Sequence, residues 1–175
     1  MTLASRNAST ETALERSHPG FWKPFLVAFV IAQAIGGIGA FTTDLGPWYQ
    51  SLNKPWWQPP DWLFGPAWTI IFALAAASAA YAWGNATTRG SRAIIVVLFL
   101  TNGLFNILWS ALFFQIKRPD WALIEVGALW ASVLIPILVV SGYSKKAAWL
   151  LVPYISWVTF AAILNYKIVQ LNPLQ

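Results

Sequence analysis

The sequence contains no cysteine, and it has only one histidine and one methionine among its 175 residues. Without cysteine the chain cannot form disulfides, thiolate metal sites or iron–sulfur clusters, and it has no cysteine nucleophile. The single histidine, His18, stands in a polar N-terminal segment, so the sequence offers nothing from which to build a histidine-rich metal site or a Ser-His-Asp triad. We therefore expect no metal site, no required cofactor and no firm catalytic residue.

Charged residues are also scarce, at 10% of the chain, while 58% of the residues are hydrophobic. Soluble domains usually carry about 25% charged residues. A soluble helical bundle would need polar outer faces, and segments such as IIFALAAASAAYAW offer none. The net charge of +5 comes from basic residues scattered between hydrophobic blocks, which is typical of membrane flanks rather than of a nucleic-acid surface. We expect an integral membrane protein in a lipid bilayer, with no nucleic-acid partner.

Five apolar blocks stand at approximately residues 25–41, 66–83, 93–114, 122–140 and 147–169. A hydrocarbon core of about 30 Å needs about 20 helical residues, so each block can cross it. The sequence thus predicts an all-α bundle of five transmembrane helices over residues 21–175, preceded by a flexible polar tail over residues 1–20.

The loop charges predict an orientation, because loops on the cytoplasmic side carry an excess of lysine and arginine. The excess favours an N-terminus inside the cell. On the N-terminal side stand Arg6, Arg16, Lys23, Arg89, Arg92, Lys145 and Lys146, against Lys54, Lys117, Arg118 and Lys167 on the other side.

The connection between the first two blocks, residues 42–65, is too long for a simple turn, and it is rich in proline and tryptophan. The stretch PWYQSLNKPWWQPPDWLFGP begins at Pro47, and proline prevents it from forming one continuous helix while also stiffening it. Indole rings favour either the membrane interface or a pocket wall. An aromatic belt that only anchors the loop is therefore the alternative to our preferred interpretation, a semi-rigid lid over a cavity.

Two polar and aromatic stripes lie within the later blocks at helical spacing. Buried amides in a hydrocarbon span are costly unless they meet partners, so both stripes should face the bundle interior. With Trp68 and Phe72 they would line a cavity, although each asparagine alone is as well explained as a hydrogen bond between helices. The stripes consist of Asn102, Asn106, Trp109 and Phe113, and of Tyr154, Trp157, Ala161 and Asn165.

Three motifs together carry a resemblance to a known family. They are WYQSLNKPWWQPPDWLFGPAWT from Trp48, NILWSALFF from Asn106 and VPYISWVTFAAILNYKIVQLN from Val152. In order and position they resemble the translocator protein family, called TspO/MBR in bacteria and historically the peripheral-type benzodiazepine receptor in mitochondria. The first-loop and fifth-helix motifs resemble the bacterial members. The resemblance implies a five-helix bundle, usually homodimeric, whose pocket under the first loop binds tetrapyrroles, sterols and isoquinoline or benzodiazepine-like molecules.

Carried over by position, the resemblance implies the ligand-binding residues. Trp68 and Trp157 are also the catalytic candidates, because their counterparts in bacterial relatives are tied to light-dependent breakdown of porphyrins. Two departures are Phe72, where many relatives have tyrosine, and the missing spacer between Tyr166 and Lys167, which weakens the sterol pattern. The implied binding residues are Trp48, Tyr49, Trp56, Trp57, Trp68, Asn106, Trp109, Phe113, Tyr154, Trp157 and Ala161.

Three functional interpretations follow. The first is a membrane protein that binds porphyrin-like or sterol-like molecules as a sensor, a sequestering protein or a transporter, with porphyrin as ligand and not as cofactor. The second is a light-dependent porphyrin-degrading activity, because no acid–base pair or nucleophile supports a reaction in the dark. The third is a passive structural protein. Because a pocket His, Cys or Met ligand for haem iron is missing, metal-free protoporphyrin should bind about as well as haem.

Overall fold

The computed structural model describes residues 20–173, and every regular element within that range is helical. The predicted tail lies outside these residues except for Gly20. The helices are α1 (Trp22–Thr42), α2 (Pro47–Ser51), a 3₁₀ turn (Asp61–Leu63), α3 (Phe64–Asn85), α4 (Arg89–Ser110), a π turn (Ala111–Gln115), α5 (Pro119–Ser141), α6 (Lys145–Leu150) and α7 (Val152–Leu171).

Five of these segments are long and apolar enough to cross a membrane, which confirms the predicted all-α five-span architecture. The protein is therefore an integral membrane protein. Each span extends a few residues beyond its apolar block, and in two of the spans a polar residue caps the start of the helix. Thr88 accepts a hydrogen bond from the Ser91 amide, and Ser144 accepts one from the Ala147 amide. The spans are Trp22–Thr42, Asp61–Asn85, Arg89–Gln115, Pro119–Ser141 and Lys145–Leu171.

The five spans form a closed ring. The first span, α1, packs against both α3 and α4, and α5 lies between α4 and the last span. The last span is made of two helices, of which α6 packs against α3 and α5, and α7 packs mainly against α5. The helices separate at Leu151, because Pro153 has no amide to continue the hydrogen-bond ladder.

Close approaches between the helices depend on two glycines. A Cβ atom on Gly36 of α1 would stand 2.9 Å from the Phe72 ring of α3. A Cβ atom on Gly103 of α4 would stand 2.5 Å from the Cδ1 atom of Ile35 on α1. Small residues let membrane helices approach closely, so these positions fix how α1 sits against its two neighbours.

Buried polar side chains join the helices by hydrogen bonds. Asn102 of α4 donates to the Ser132 hydroxyl of α5 at 3.0 Å, and Ser78 of α3 donates to the Ala147 carbonyl of α6 at 2.8 Å. These two donors find partners inside the bundle, which removes the cost of an unpaired polar group in a hydrocarbon span. Asn102 therefore serves helix packing, the alternative that the sequence left open for it.

Candidate functional site: an aromatic cavity under the first loop

A cavity of about 650 Å³ lies between the first loop and helices α1, α3, α4 and α7. Its volume is within the range of about 300–1,000 Å³ that is usual for small-molecule sites. Side chains from the loop close one end, and apart from Gln33 the α1 contribution consists of glycine and alanine. The aromatic side chains that line it are Tyr49, Trp62, Phe64, Trp68, Phe72, Trp109, Phe113, Phe114 and Trp157.

Trp68 is the centre of the first aromatic wall. Its ring lies 6.5 Å from that of Trp157, at an interplanar angle of 86°, and stacks on Phe72 at 5.4 Å. Tyr154 meets Trp68 edge-on at 5.8 Å, and its hydroxyl accepts a hydrogen bond of 3.4 Å from Asn106. Edge-to-face and offset-stacked rings are the favourable arrangements for aromatic pairs. The contacts therefore fix Trp68 in one orientation along the wall.

The π turn at the end of α4 provides a second aromatic wall. The Ile116 amide donates to the Ala111 carbonyl at 2.9 Å, a five-residue step that adds one residue to the turn. With this extra residue, Phe113 and Phe114 both reach the cavity, with ring centroids 4.7 Å apart. Trp109 packs on Phe113 at 5.4 Å, so the wall is three rings wide.

Hydrogen bonds hold the first loop in its folded form. Tyr49 donates its hydroxyl hydrogen to Asp61 at 2.9 Å, and Gln58 donates to both Tyr49 and Asp61. The Lys54 ammonium lies 3.6 Å from the centroid of the Tyr49 ring, a cation–π contact. Burial, and next the hydrogen bond to Asp61, raise the pKa of Tyr49 above its ordinary value, so its hydroxyl stays a donor at neutral pH.

The loop is also tied to the C-terminal end of the bundle. The Asn53 amide donates to the Asn172 side-chain oxygen at 2.9 Å, and the Asn172 side chain donates back to the Asn53 carbonyl at 2.9 Å. The Asn53 side chain also donates to the Leu171 carbonyl at 3.4 Å. We call this reciprocal pair the Asn53–Asn172 clasp. It connects the loop to α7, which carries Trp157.

Three buried polar atoms of cavity residues have no hydrogen-bond partner within the part of the chain that the structure describes. They are the Trp109 indole nitrogen, the Asn165 side-chain oxygen and the Gln58 side-chain oxygen. The Asn165 nitrogen donates to the Pro119 carbonyl at 2.9 Å, which fixes the amide orientation. An unpaired buried group costs about 1–3 kcal/mol, so a ligand that pairs with these atoms gains affinity.

Most of the sequence-predicted binding residues meet at this cavity. Three others stand behind the wall: Trp48 packs edge-on against Phe113, Trp57 against Phe160, and Tyr154 against Trp68. Trp56 is 95% exposed and does not line the cavity. Those that line it are Tyr49, Trp68, Asn106, Trp109, Phe113, Trp157 and Ala161.

The structure adds cavity residues that the predicted set omits. Asn165 lies on the predicted stripe of the fifth block, so its helical spacing could have identified it as a cavity residue. Gln58 and Asp61 belong to the loop, and their place among its prolines was the one feature of the sequence that suggested a role in the cavity. Gln33 and Thr43 come from the first span and its end, and no pattern distinguished them.

Comparison with known proteins agrees with this architecture. The model of the TspO/MBR family matches residues 26–171. The chain belongs to the TspO/MBR family. Among its relatives is the tryptophan-rich protein TspO of Chlorobaculum tepidum, 41% identical over 80% of this chain and 90% of the relative. The tryptophan-rich sensory protein of Cereibacter sphaeroides is 34% identical over 86% of this chain and 92% of its own.

An animal relative shows that the family is not confined to microbes. The translocator protein of Bos taurus is 31% identical over 86% of this chain and 91% of its own length. The family membership and the apolar bundle together support binding of hydrophobic ligands in general. The TspO/MBR resemblance seen in the three sequence motifs is thereby confirmed.

Proposed function

We propose that this protein binds flat, largely apolar molecules of the tetrapyrrole class in the aromatic cavity, and acts on them as a sensor, a sequestering protein or a transporter. The observation that carries the proposal is the pair of aromatic walls, one around Trp68 and Trp157 and one around Trp109 and Phe113, facing one space of about 650 Å³. The first loop serves as the lid. The homodimer and the inward N-terminus remain predictions.

Rigid indole walls suit a flat ring system better than a flexible chain. Each offset or edge-on aromatic contact adds about 0.5–1.5 kcal/mol beyond the burial of area, so three or four contacts support micromolar affinity. Lys54, at the loop, offers a cation for the carboxylates of a porphyrin, and the Trp109 indole offers a donor. The cavity-lining residues include no His, Cys or Met, and the hydroxyl of Tyr49 is hydrogen-bonded to Asp61, so metal-free and iron-bearing protoporphyrin should bind alike.

Titration of the purified protein with metal-free protoporphyrin tests the proposal. Tryptophan fluorescence should be quenched with a saturable, micromolar midpoint. Trp68→Leu and Trp157→Leu should each raise that midpoint about tenfold, because each removes one ring contact together with the area that it buries.

The matched control is Trp149→Leu. Trp149 is 72% exposed on α6, at the other end of the bundle, so the loss of its indole should leave the midpoint unchanged. Equal midpoints in all three variants and the parent chain would contradict the assignment of the cavity. Quenching that never saturates would contradict specific binding altogether.

A second candidate function is light-dependent breakdown of the bound porphyrin. The observation that favours it is that Trp68 and Trp157 both line the cavity with ring centroids 6.5 Å apart, so an oxidisable indole would lie against the ligand. In this reaction light excites the porphyrin, dioxygen is the oxidant, and an indole relays or receives the oxidation.

Illumination of the complex in air, with the porphyrin absorption band followed over time, tests this activity. Bleaching should be faster in the complex than with free porphyrin, and slower again in Trp157→Phe at equal occupancy. Equal rates in the three samples would leave only the photochemistry of the porphyrin itself.

A further inference from the structure

A second hollow lies on the outer surface of the bundle, between α1, α3 and α4, and we call it the outer groove. Its volume is about 890 Å³, and 14 of its 20 lining residues are aliphatic or small. The others are Trp22, Lys23, Phe72, Trp83, Phe99 and Asn102. Ala76 and Ile95, each 2% exposed, form part of its floor. Phe72 is the one residue that it shares with the aromatic cavity, so both spaces border this side chain.

The outer groove has the length of one membrane leaflet. Along α1 it runs from Lys23 to Ile35, which is about 18 Å at the helical rise of about 1.5 Å per residue. Half of a hydrocarbon core is about 15 Å. Lys23 stands at the N-terminal end of the span, so the groove leads from the membrane surface to the bilayer centre.

Charge at the surface end of the groove is entirely positive within residues 20–173. Lys23 lines the groove, and the Arg92 guanidinium lies 5.3 Å from the ring of Trp83, another lining residue. Arg89, Lys145 and Lys146 stand on the same side of the membrane. The acidic residues outside the apolar interior, Asp44, Asp61 and Asp120, belong to the other end of the helices.

We propose that the outer groove holds an acyl chain of an anionic phospholipid, with the lipid phosphate at Lys23 and Arg92. An aliphatic groove that ends at the bilayer centre fits a hydrocarbon chain of one leaflet, and the cations at its mouth fit a phosphodiester. This site is separate from the aromatic cavity and does not depend on the function proposed for it.

Two other occupants fit the groove less well. A second copy seated here about a two-fold axis along the membrane normal would bring the cations of one mouth toward the same cations of the other. The N-terminal 19 residues, MTLASRNASTETALERSHP, have few large apolar side chains with which to fill an aliphatic groove. An anionic lipid complements both the positive charge at the mouth of the groove and its apolar lining.

Native mass spectrometry of the full-length protein with added lipids tests the proposal. The probes are phosphatidylglycerol and phosphatidylcholine with identical acyl chains. Phosphatidylglycerol should bind more tightly, and Lys23→Gln should weaken it about fivefold, because one lysine near an anionic headgroup contributes about 1 kcal/mol. Binding of phosphatidylcholine should not change in Lys23→Gln.

Two further variants distinguish a specific lipid site from nonspecific electrostatic attraction of anionic lipids to this side of the protein. Lys145→Gln removes one exposed charge from the same side but outside the groove, and it should leave both lipids unaffected. Ala79→Phe fills the groove and should weaken both. If Lys23→Gln and Lys145→Gln lost affinity for phosphatidylglycerol equally, the lipid would be held by the overall positive charge of this side, and the proposal would be wrong.

The same spectra identify the rival occupants. If Ala79→Phe dissociates a dimer while the lipid count stays constant, a second copy covers the groove and the proposal is wrong. If deletion of residues 1–19 increases lipid occupancy, the tail occupies the groove in the full chain, and the proposal is equally wrong. Unchanged spectra after the deletion support it.

Discussion

The two hollow spaces of this protein are of similar size but have opposite walls. The aromatic cavity is built from rings held by edge-on and stacked contacts, and it carries unpaired polar atoms at Trp109 and Asn165. The outer groove is lined mainly by alanine, valine, isoleucine and leucine, with four aromatic rings among them, and its charge stands only at one end. Volume alone therefore does not select a ligand: walls of packed rings favour flat molecules, whereas a mainly aliphatic lining favours a chain.

Removal of the ring between the two spaces should have the largest effect. Phe72 is 5% exposed and contacts both Trp68 and Tyr154. We expect Phe72→Ala to cost about 3 kcal/mol of stability, as large-to-small core changes do, and to weaken porphyrin and lipid binding together. Thermal unfolding in detergent and the two binding assays measure this.

The matched control for that variant is Phe41→Ala. Phe41 is 92% exposed at the end of α1, so its loss should change neither stability nor binding. If Phe72→Ala weakened one ligand and left the other unchanged, the ring would not serve as a shared wall, and the comparison of the two spaces would fail on that point.

A methyl group pushed against the same ring should have an intermediate effect. In Gly36→Ala the new Cβ would stand 2.9 Å from two carbons of the Phe72 ring, which must move. Overpacking of this kind costs about 1–3 kcal/mol. Gly37→Ala is the control, because a Cβ there meets nothing within 4 Å.

The two melting temperatures should therefore move in opposite directions. Gly36→Ala should melt below the parent chain, whereas Gly37→Ala should equal or exceed it, since alanine favours helix over glycine by up to about 1 kcal/mol. Identical shifts in both variants would show that α1 is free to move away from α3, and that Phe72 is not fixed between the two spaces.

Loss of the Asn53–Asn172 clasp should have the smallest effect, and it should affect the aromatic cavity alone. Asn172→Ala removes both side-chain bonds to Asn53, each worth about 0.5–1.5 kcal/mol. Because both bonds are exposed, the pair should contribute about 1 kcal/mol, so porphyrin should leave the aromatic cavity about five times faster, while lipid binding to the outer groove should not change. Stopped-flow displacement measures the release rate.

The control for the clasp is Asn85→Ala. Within residues 20–173 its side chain bonds only to the Tyr81 carbonyl of its own helix, at the other end of the bundle. Faster release in Asn85→Ala as well would indicate a general loosening of the fold. An unchanged rate in Asn172→Ala would mean that the loop stays closed without the clasp.

The spans were predictable from the sequence because each carries a long run of apolar residues, which both length and hydropathy report directly. The helix ends were less predictable. Thr88 and Ser144 are polar residues that cap the starts of their helices, and a hydropathy pattern does not include them. The π turn also went unpredicted. It forms because the Ile116 amide donates to the carbonyl five residues back, at Ala111, instead of four residues back, and side-chain spacing does not indicate this difference.

The candidate site was predictable where residues share a helical stripe. Asn106, Trp109 and Phe113 on α4 and Trp157 and Ala161 on α7 line the cavity together. The loop was harder, because a proline-rich segment has no period from which to predict which face is buried. Neighbouring indoles there take different places: Trp57 packs against Phe160, whereas Trp56 is exposed.

The extra residue of the π turn gives the cavity an adjustable wall. A five-residue step returns to an ordinary helix when a single residue is deleted, and the rest of α4 keeps its register because the change falls at the end of the helix. Loss of one codon between Ala111 and Gln115 would therefore redirect Phe114 and reshape the binding surface at the end of the third span, while Arg89–Ser110 keeps its register.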